Sequence, residues 1–291
     1  MENTRAKTTR NSLILLLTAT IWGMAFVSQS KGMDYMHPFT FNGVRSLIGA
    51  AGILIYILIS RKIAGDKAAK LDWKLNVKAG LLCGIFLTIA STLQQFGIKY
   101  TSVGKAGFIT TLYIIFVPMF GIFLKKKVAP VVWAAAGMAA VGMYLLCMTE
   151  SLRLGAGDIM VFLCAIAFAI QIMTVDHYAA RIDGAVVSCI QFTVCGVVCC
   201  IGALIWGQPT FGQIQEGLGA LLYAGVLSCG VGYTLQIVGQ KGLNPTVAAL
   251  IMSLESVIAT ISGWIAYKIG FLSTDQTLTP RQIAGCVIVF A

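Results

Sequence analysis

The sequence predicts an all-α polytopic membrane protein, and three observations support this fold class. Of the 291 residues, 58% are hydrophobic and only 11% carry a charge, whereas a typical soluble domain has about 25% charged residues. The mean hydropathy of +0.85 indicates more apolar surface than one globular core of this size can bury. The apolar residues also form continuous runs, which favours spanning helices over the alternating strands of a barrel.

Run length predicts the individual helices, because about 20 apolar residues are needed to cross a bilayer. Nine clear spans are expected near residues 13–31, 39–60, 77–98, 105–124, 128–148, 156–176, 185–206, 217–239 and 246–267. A tenth apolar run starts at about Arg281 and is too short for a perpendicular helix. We therefore expect ten transmembrane helices, with the given chain ending inside the tenth.

The basic residues predict the orientation of these helices. Arg5, Lys7 and Arg10 precede the first span, and six further Lys and Arg residues lie between Arg61 and Lys78. These two segments share one side of the membrane if the spans alternate, and Lys and Arg are enriched on the cytoplasmic side. No Ala-x-Ala-like cleavage site follows the first span before the next polar stretch. We expect an uncleaved, cytoplasmic N-terminus.

Motifs for catalysis, cofactors and metals are missing from the sequence. The nine cysteines include no Cys-x-x-Cys pair, the two histidines form no His-Glu-x-x-His motif, and no G-x-x-x-x-G-K-[ST] nucleotide loop occurs. The formal net charge of +10 is spread over short loops, which suits a lipid surface better than nucleic acid. We expect no enzyme activity, no cofactor, no metal and no nucleic-acid partner.

An internal repeat is the most informative feature of the chain. Residues 92–99 (TLQQFGIK) return as residues 234–241 (TLQIVGQK) with five identities in eight. A similar offset relates Trp22 to Phe168 and Arg45 to Gln191. Five spans separate the copies, so they cross the membrane in opposite directions, as in the inverted repeats of secondary transporters. We expect two five-helix units, residues 1–150 and 151–291, although duplication can also simply build a stable bundle.

Several motifs resemble one known family. They are Trp22-Gly23, Arg45, the stretch from Gly104 to Leu112 with Pro118, Asn244-Pro245, Ser253 to Val257, and Leu278 to Gln282. In these motifs the chain resembles the EamA-type branch of the drug/metabolite transporter superfamily over nearly its whole length. The resemblance implies ten helices as two inverted five-helix repeats, and export of amino acids or other small metabolites across the cytoplasmic membrane of a prokaryote.

Glu255 is the strongest candidate for a functional residue. It lies about ten residues into the ninth predicted span, where a carboxyl group is costly unless it meets partners or water. Such a group can exchange a proton during transport or pair with a cationic substrate, or it can be a permanently hydrogen-bonded packing residue. Its repeat partner Tyr113 and the mid-depth Trp22 could contact an amine through their ring faces. For Trp22, ordinary packing is an equally good interpretation.

Other polar residues in the spans are expected near the transport path. Arg45 lies seven residues into the second span, and a guanidinium reaching the outer interface is favoured over one that captures a substrate carboxylate. Gln94 and Gln236 lie near opposite ends of their helices, which suits gates at two mouths or hydrogen bonds between helices. Some of a further set are expected to line the path: Gln29, Gln171, Thr110, Thr111, Tyr233 and Ser253.

Together these features predict a secondary active transporter that exports small organic metabolites, such as amino acids or amines, by alternating access. Its partners would be a small-molecule substrate and the lipid bilayer, with proton coupling and oligomeric state left open. The alternatives are a passive uniporter or channel, a membrane-embedded enzyme, and an accessory subunit without transport of its own.

Overall fold

A computed structural model describes residues 2–65, 71–123, 130–147, 155–273 and 275–290, and within these ranges the protein is helical without strands. The α-helices are α1 (Glu2–Gly32), α2 (Pro38–Ala64), α3 (Trp73–Ile98), α4 (Val103–Thr111), α5 (Tyr113–Phe123), α6 (Pro130–Cys147), α7 (Ala156–Tyr178), α8 (Gly184–Gly202), α9 (Phe211–Glu216), α10 (Leu218–Leu222), α11 (Tyr233–Gln240), α12 (Pro245–Met252), α13 (Glu255–Lys268) and α14 (Pro280–Phe290). Two π-helical segments, Ala203–Gly207 and Tyr223–Gly232, continue α8 and join α10 to α11.

Eight helical stretches of the described chain are long and apolar enough to cross a membrane. They correspond to the first four and the sixth to ninth predicted spans, so the protein is a multi-pass membrane protein. The predicted fifth span forms the 18-residue α6, and its outermost residues, 128, 129 and 148, lie outside the described residues. The predicted tenth span forms the 11-residue α14. Neither is among the eight, so the count of ten stays a prediction.

Polar N-cap residues mark the positions at which several helices begin. The Ser102 hydroxyl accepts a hydrogen bond from the amide of Lys105 at the start of α4. The Asp183 carboxylate accepts from two backbone amides at the start of α8, and Asn244 caps α12 just before Pro245. Such side chains satisfy amides that the first helical turn leaves unpaired, which permits short connections and antiparallel neighbours.

Two spans are interrupted near mid-depth, one between α4 and α5 at Leu112 and one between α12 and α13 at Ser253 and Leu254. The amide of Leu112 donates to the carbonyl of Ile109 at 3.2 Å, and that of Leu254 donates to Ile251 at 3.3 Å. Both are the tighter i to i−3 bonds of a 3₁₀ turn. The two interruptions therefore have the same local geometry, at positions 142 residues apart.

The helices pack closely at glycines and present apolar faces outward. α1 packs on α13 and α11, α2 packs on α8 and the Tyr223–Gly232 segment, and α3 packs on α7 and α8. At Gly23 of α1, an added Cβ would lie 2.7 Å from the carbonyl oxygen of Glu255, so the two backbones nearly touch. Leu54, Ile55 and Leu58 of α2 are exposed, as expected for residues that face lipid.

Candidate functional site

A central cavity lies among the spans and receives side chains from both halves of the sequence. It is lined by Trp22, Phe26, Gln29, Arg45, Ser46, Leu87, Ser91, Gln94, Thr110, Tyr113, Phe168, Gln171, Ile172, Phe192, Ser228, Cys229, Tyr233, Gln236 and Glu255. Its volume is about 40 Å³, room for a few water molecules but less than the several hundred Å³ that organic ligands usually occupy.

Glu255 and Tyr113 meet in the cavity. The Tyr113 hydroxyl donates a hydrogen bond to Oε1 of Glu255 at 3.1 Å, and both side chains are buried. Each residue starts the second half of an interrupted span, Tyr113 as the first residue of α5 and Glu255 as the first of α13. The helix interruptions thus bring two residues from equivalent positions into contact.

An aromatic group lies beside the carboxyl group. The Trp22 and Tyr233 rings are 4.5 Å apart between centroids, and Phe192 meets Tyr233 edge to face at 4.9 Å. The Trp22 indole N–H donates to the carbonyl of Ser228 at 3.4 Å. Trp22 is therefore held by packing and also faces the cavity, so packing and a role in binding are compatible.

The position of Arg45 differs from the one expected from the sequence. The expected anchor at the membrane interface is wrong, because Arg45 is only 5% exposed and lines the central cavity. Its guanidinium lies 5.4 Å from the centroid of the Phe41 ring. Its Nε atom is buried without a hydrogen-bond partner in the described part of the chain. The side chain turns inward because its helix face meets α8 and the Tyr223–Gly232 segment rather than lipid.

The glutamines form bonds between helices. Gln94 donates to the Thr110 hydroxyl at 3.1 Å, and Gln236 donates to Gln171 at 3.2 Å, which in turn donates to Gln191 at 3.5 Å. Gln94 and Gln236 line the same cavity instead of two separate mouths. These bonds match the helix-packing interpretation, and a gating role for either residue stays a prediction.

Ser253 does not line the cavity. Its hydroxyl donates back to the carbonyl of Leu250 at 2.7 Å, so it caps the interruption before α13. Thr111 is likewise outside the lining and bonds to the carbonyl of Phe108. Sequence reasoning missed other lining residues, namely Ser46, Ser91, Ser228, Cys229 and Phe192. Two lay beside recognised positions, since Ser46 follows Arg45 and Phe192 follows Gln191.

Arg45 and Glu255 form no ion pair within the described residues, although Tyr113 donates a hydrogen bond to Glu255. The two ion pairs of the described residues are Lys31–Asp34 and Lys105–Asp158. Arg45 and Glu255 belong to neither, although both are buried in the membrane region. Within the same described residues, no group of three or more His, Cys, Asp or Glu side chains is arranged to hold a metal ion.

A multi-pass helical bundle with a central cavity lined by polar and aromatic side chains is typical of membrane transport proteins. The EamA-like transporter family model matches residues 10–148 and again 155–291, and the chain belongs to this family. It is therefore a transporter and not an enzyme.

Its relatives carry the same general description. An uncharacterized transporter of Archaeoglobus fulgidus is 27% identical over 94% of this chain and 82% of its own. The uncharacterized transporter YwfM of Bacillus subtilis is 27% identical over 96% of this chain and 90% of its own. One protein of known crystal structure, 16% identical, superposes with a TM-score of 0.73 over 97% of this chain and 94% of that one, which shows a shared fold.

Proposed function

We propose that the protein is a secondary active transporter of small zwitterionic metabolites, with amino acids as the first class to test and simple amines as the second. One observation carries this proposal: a single buried cavity contains a carboxyl group, Glu255, and a guanidinium, Arg45, that form no ion pair in the described chain. Ionisable groups without an ion-pair partner are costly in a membrane interior unless they lose their charge or meet a partner. A zwitterion would satisfy both, because its carboxylate suits the Arg45 fork and its ammonium suits Glu255.

The aromatic rings supply the remaining contacts for an amine. Trp22 and Tyr233 line the same cavity as Arg45 and Glu255. The faces of such aromatic rings attract a cation within about 6 Å. The Gln171 and Gln236 amides add neutral donors and acceptors on another wall of the cavity. Since the cavity has a volume of only about 40 Å³, the substrate-loaded state requires the surrounding helices to separate.

The proposed architecture is ten helices in two inverted repeats, residues 1–150 and 151–291, that rock against each other. Two features support it: the interruptions at Leu112 and Leu254 have matching geometry, and Tyr113 contacts its repeat partner Glu255. Residues related by a two-fold axis touch only close to that axis. Their contact therefore supports a central position for the site, where inverted-repeat transporters bind their substrates.

The proposed setting is the cytoplasmic, or inner, membrane of a prokaryote, with the N-terminus inside and transport directed outward. The archaeal and bacterial relatives support a cell membrane, and the basic residues of the N-terminus and the Arg61–Lys78 loop support the orientation. Glu255 is the proposed coupling residue, because it is the carboxylic acid of the cavity lining and can exchange a proton or a substrate ammonium.

The test is transport into proteoliposomes of a mixed pool of amino acids and amines, with and without a pH gradient. Glu255→Gln removes the carboxyl charge at nearly constant shape, and Glu216→Gln is the matched control because Glu216 is exposed in α9. Gradient-driven accumulation that is lost only in the Glu255 variant would support the proposal. Equilibration independent of the gradient would indicate a passive uniporter, and absence of flux for every compound would overturn transport of these classes.

A further inference from the structure

A basic pocket lies at the end of the bundle that holds the N-terminus. It has a volume of about 240 Å³, and its charged lining residues are Lys7, Arg10 and Lys241. No Asp or Glu is among its lining residues. Three cations around one pocket repel each other and together attract an anion.

The pocket is bounded by a specific contact between α1 and the residue that follows α11. Asn11 is only 2% exposed, and its side-chain amide donates to the carbonyl of Lys241 at 2.8 Å. At Gly239, an added Cβ would lie 2.7 Å from Leu15, so α11 and α1 pack closely just below. Lys7, Arg10 and Lys241 are therefore brought together by the fold and not only by flexible side chains.

An apolar groove continues from the pocket toward the middle of the membrane. Val238 lines both cavities, and the groove then runs between α2 and the Tyr223–Gly232 segment with a volume of about 420 Å³. Gly49, Gly52 and Val226 mark its deeper part. Val226 lies twelve residues before Val238, which gives at most about 18 Å at the α-helical rise, since the Tyr223–Gly232 part is π-helical. This length is comparable with the ~15 Å thickness of one hydrocarbon leaflet.

We propose that the pocket and groove together bind one anionic phospholipid, with its phosphate at the three basic residues and one acyl chain in the groove. A free phosphate would leave the groove empty. A zwitterionic headgroup would place its own ammonium beside three cations. Given the proposed orientation, the lipid belongs to the cytoplasmic leaflet, where basic sites between helices select anionic headgroups.

The headgroup is tested by native mass spectrometry of the purified protein titrated with dioleoyl phosphatidylglycerol or dioleoyl phosphatidylcholine. We expect the wild type to prefer phosphatidylglycerol and the triple variant K7Q/R10Q/K241Q to lose roughly tenfold to a hundredfold in apparent affinity for it. The matched control is K62Q/K74Q/K78Q, which removes the same charge from exposed residues at the same end. Equal binding of the two lipids, or an equal loss in the control, would overturn the proposal.

The groove is tested separately by Gly52→Leu. An added Cβ at Gly52 meets no atom within 4 Å, so the leucine fills the groove without disturbing the helices. Gly137→Leu is the control, because Gly137 is equally open and lies outside the groove. We expect a severalfold loss of phosphatidylglycerol binding in the first variant alone. If glycerophosphoglycerol, which has no acyl chains, binds as tightly as the lipid, the groove has no role and the lipid proposal fails.

Discussion

Tyr113 and Glu255 make the central hydrogen bond of the cavity, and removing it has a defined consequence. The Tyr113 hydroxyl donates a hydrogen bond to Oε1 of Glu255, and a buried acceptor that loses its donor is destabilised by about 1 to 3 kcal/mol. In Tyr113→Phe we therefore expect gradient-driven accumulation to fall severalfold. Tyr223→Phe, which loses a bond to the carbonyl of Ile21, should keep the wild-type rate. An unchanged rate in Tyr113→Phe would show that Glu255 does not need this hydrogen bond for coupling.

Arg45 gives a second expectation, which concerns the substrate carboxylate. In Arg45→Gln, the KM for a transported amino acid should rise at least tenfold, because a charge-assisted bond is worth about 1.5 to 3 kcal/mol. The KM for the matching amine without a carboxylate should stay close to the wild-type value. Arg181→Gln, at an exposed position, serves as the control in the same flux assay. Equal effects on both substrates would assign Arg45 to packing.

The sequence predicted how deep each candidate residue lies in the membrane, but not on which face of its helix the side chain lies. A count along each apolar run placed Glu255, Trp22 and Tyr113 at mid-depth, and all three line the cavity. Ser253 has almost the same depth as Glu255, but it lies in the interruption before α13 and its hydroxyl bonds back to the carbonyl of Leu250. For the same reason the sequence did not show that the Arg45 side chain points into the bundle, since its neighbours in space come from distant helices.

The contact of α1 with α13 gives an expectation at the level of helices. In Gly23→Ala, the new methyl would lie 2.6 Å from Ile258 Cβ and 2.7 Å from the carbonyl oxygen of Glu255, so the helices must separate. We expect a loss of about 1 to 3 kcal/mol in stability, seen as a lower Tm in detergent, together with reduced transport. Gly137→Ala meets no neighbour and should be neutral or slightly stabilising. Equal Tm values for the two variants would contradict this packing.

Helix positions were predictable to within a few residues because apolar runs end at polar caps, but internal irregularities were not. The segment Tyr223–Gly232 is uniformly apolar or small, and its π-helical hydrogen bonding leaves no mark on hydropathy. The interruption at Leu112 was not predicted, because the apolar run over residues 105–124 continues through this position. Such irregular turns depend on tertiary packing, which local sequence patterns do not encode.

For the whole molecule, the sequence indicated a multi-pass bundle and a related pair of halves, since hydropathy and internal similarity are properties of the entire chain. The conformational state could not be predicted from the sequence, because apolar runs do not specify how far the cavity is open. Among the contacts between the proposed halves, one ion pair lies at the end opposite the N-terminus. Lys105 of α4 contacts Asp158 of α7 at 2.6 Å, and Asp158 also accepts from Thr101 at 2.9 Å. These bonds make Asp158 a candidate latch between the halves.

Breaking this latch should change access to the cavity. Asp158 is only 4% exposed, whereas its partner Lys105 is partly exposed. Asp158→Asn removes the buried carboxylate of the pair, a loss that favours separation of α4 from α7. We expect Cys229 in the cavity, kept as the sole cysteine, to react severalfold faster with a membrane-impermeant maleimide from that side. Asp34→Asn breaks an exposed pair of little energetic value and should leave the rate unchanged. If both variants label at the wild-type rate, the Lys105–Asp158 pair stabilises the fold without controlling the alternation that the proposed transport cycle requires.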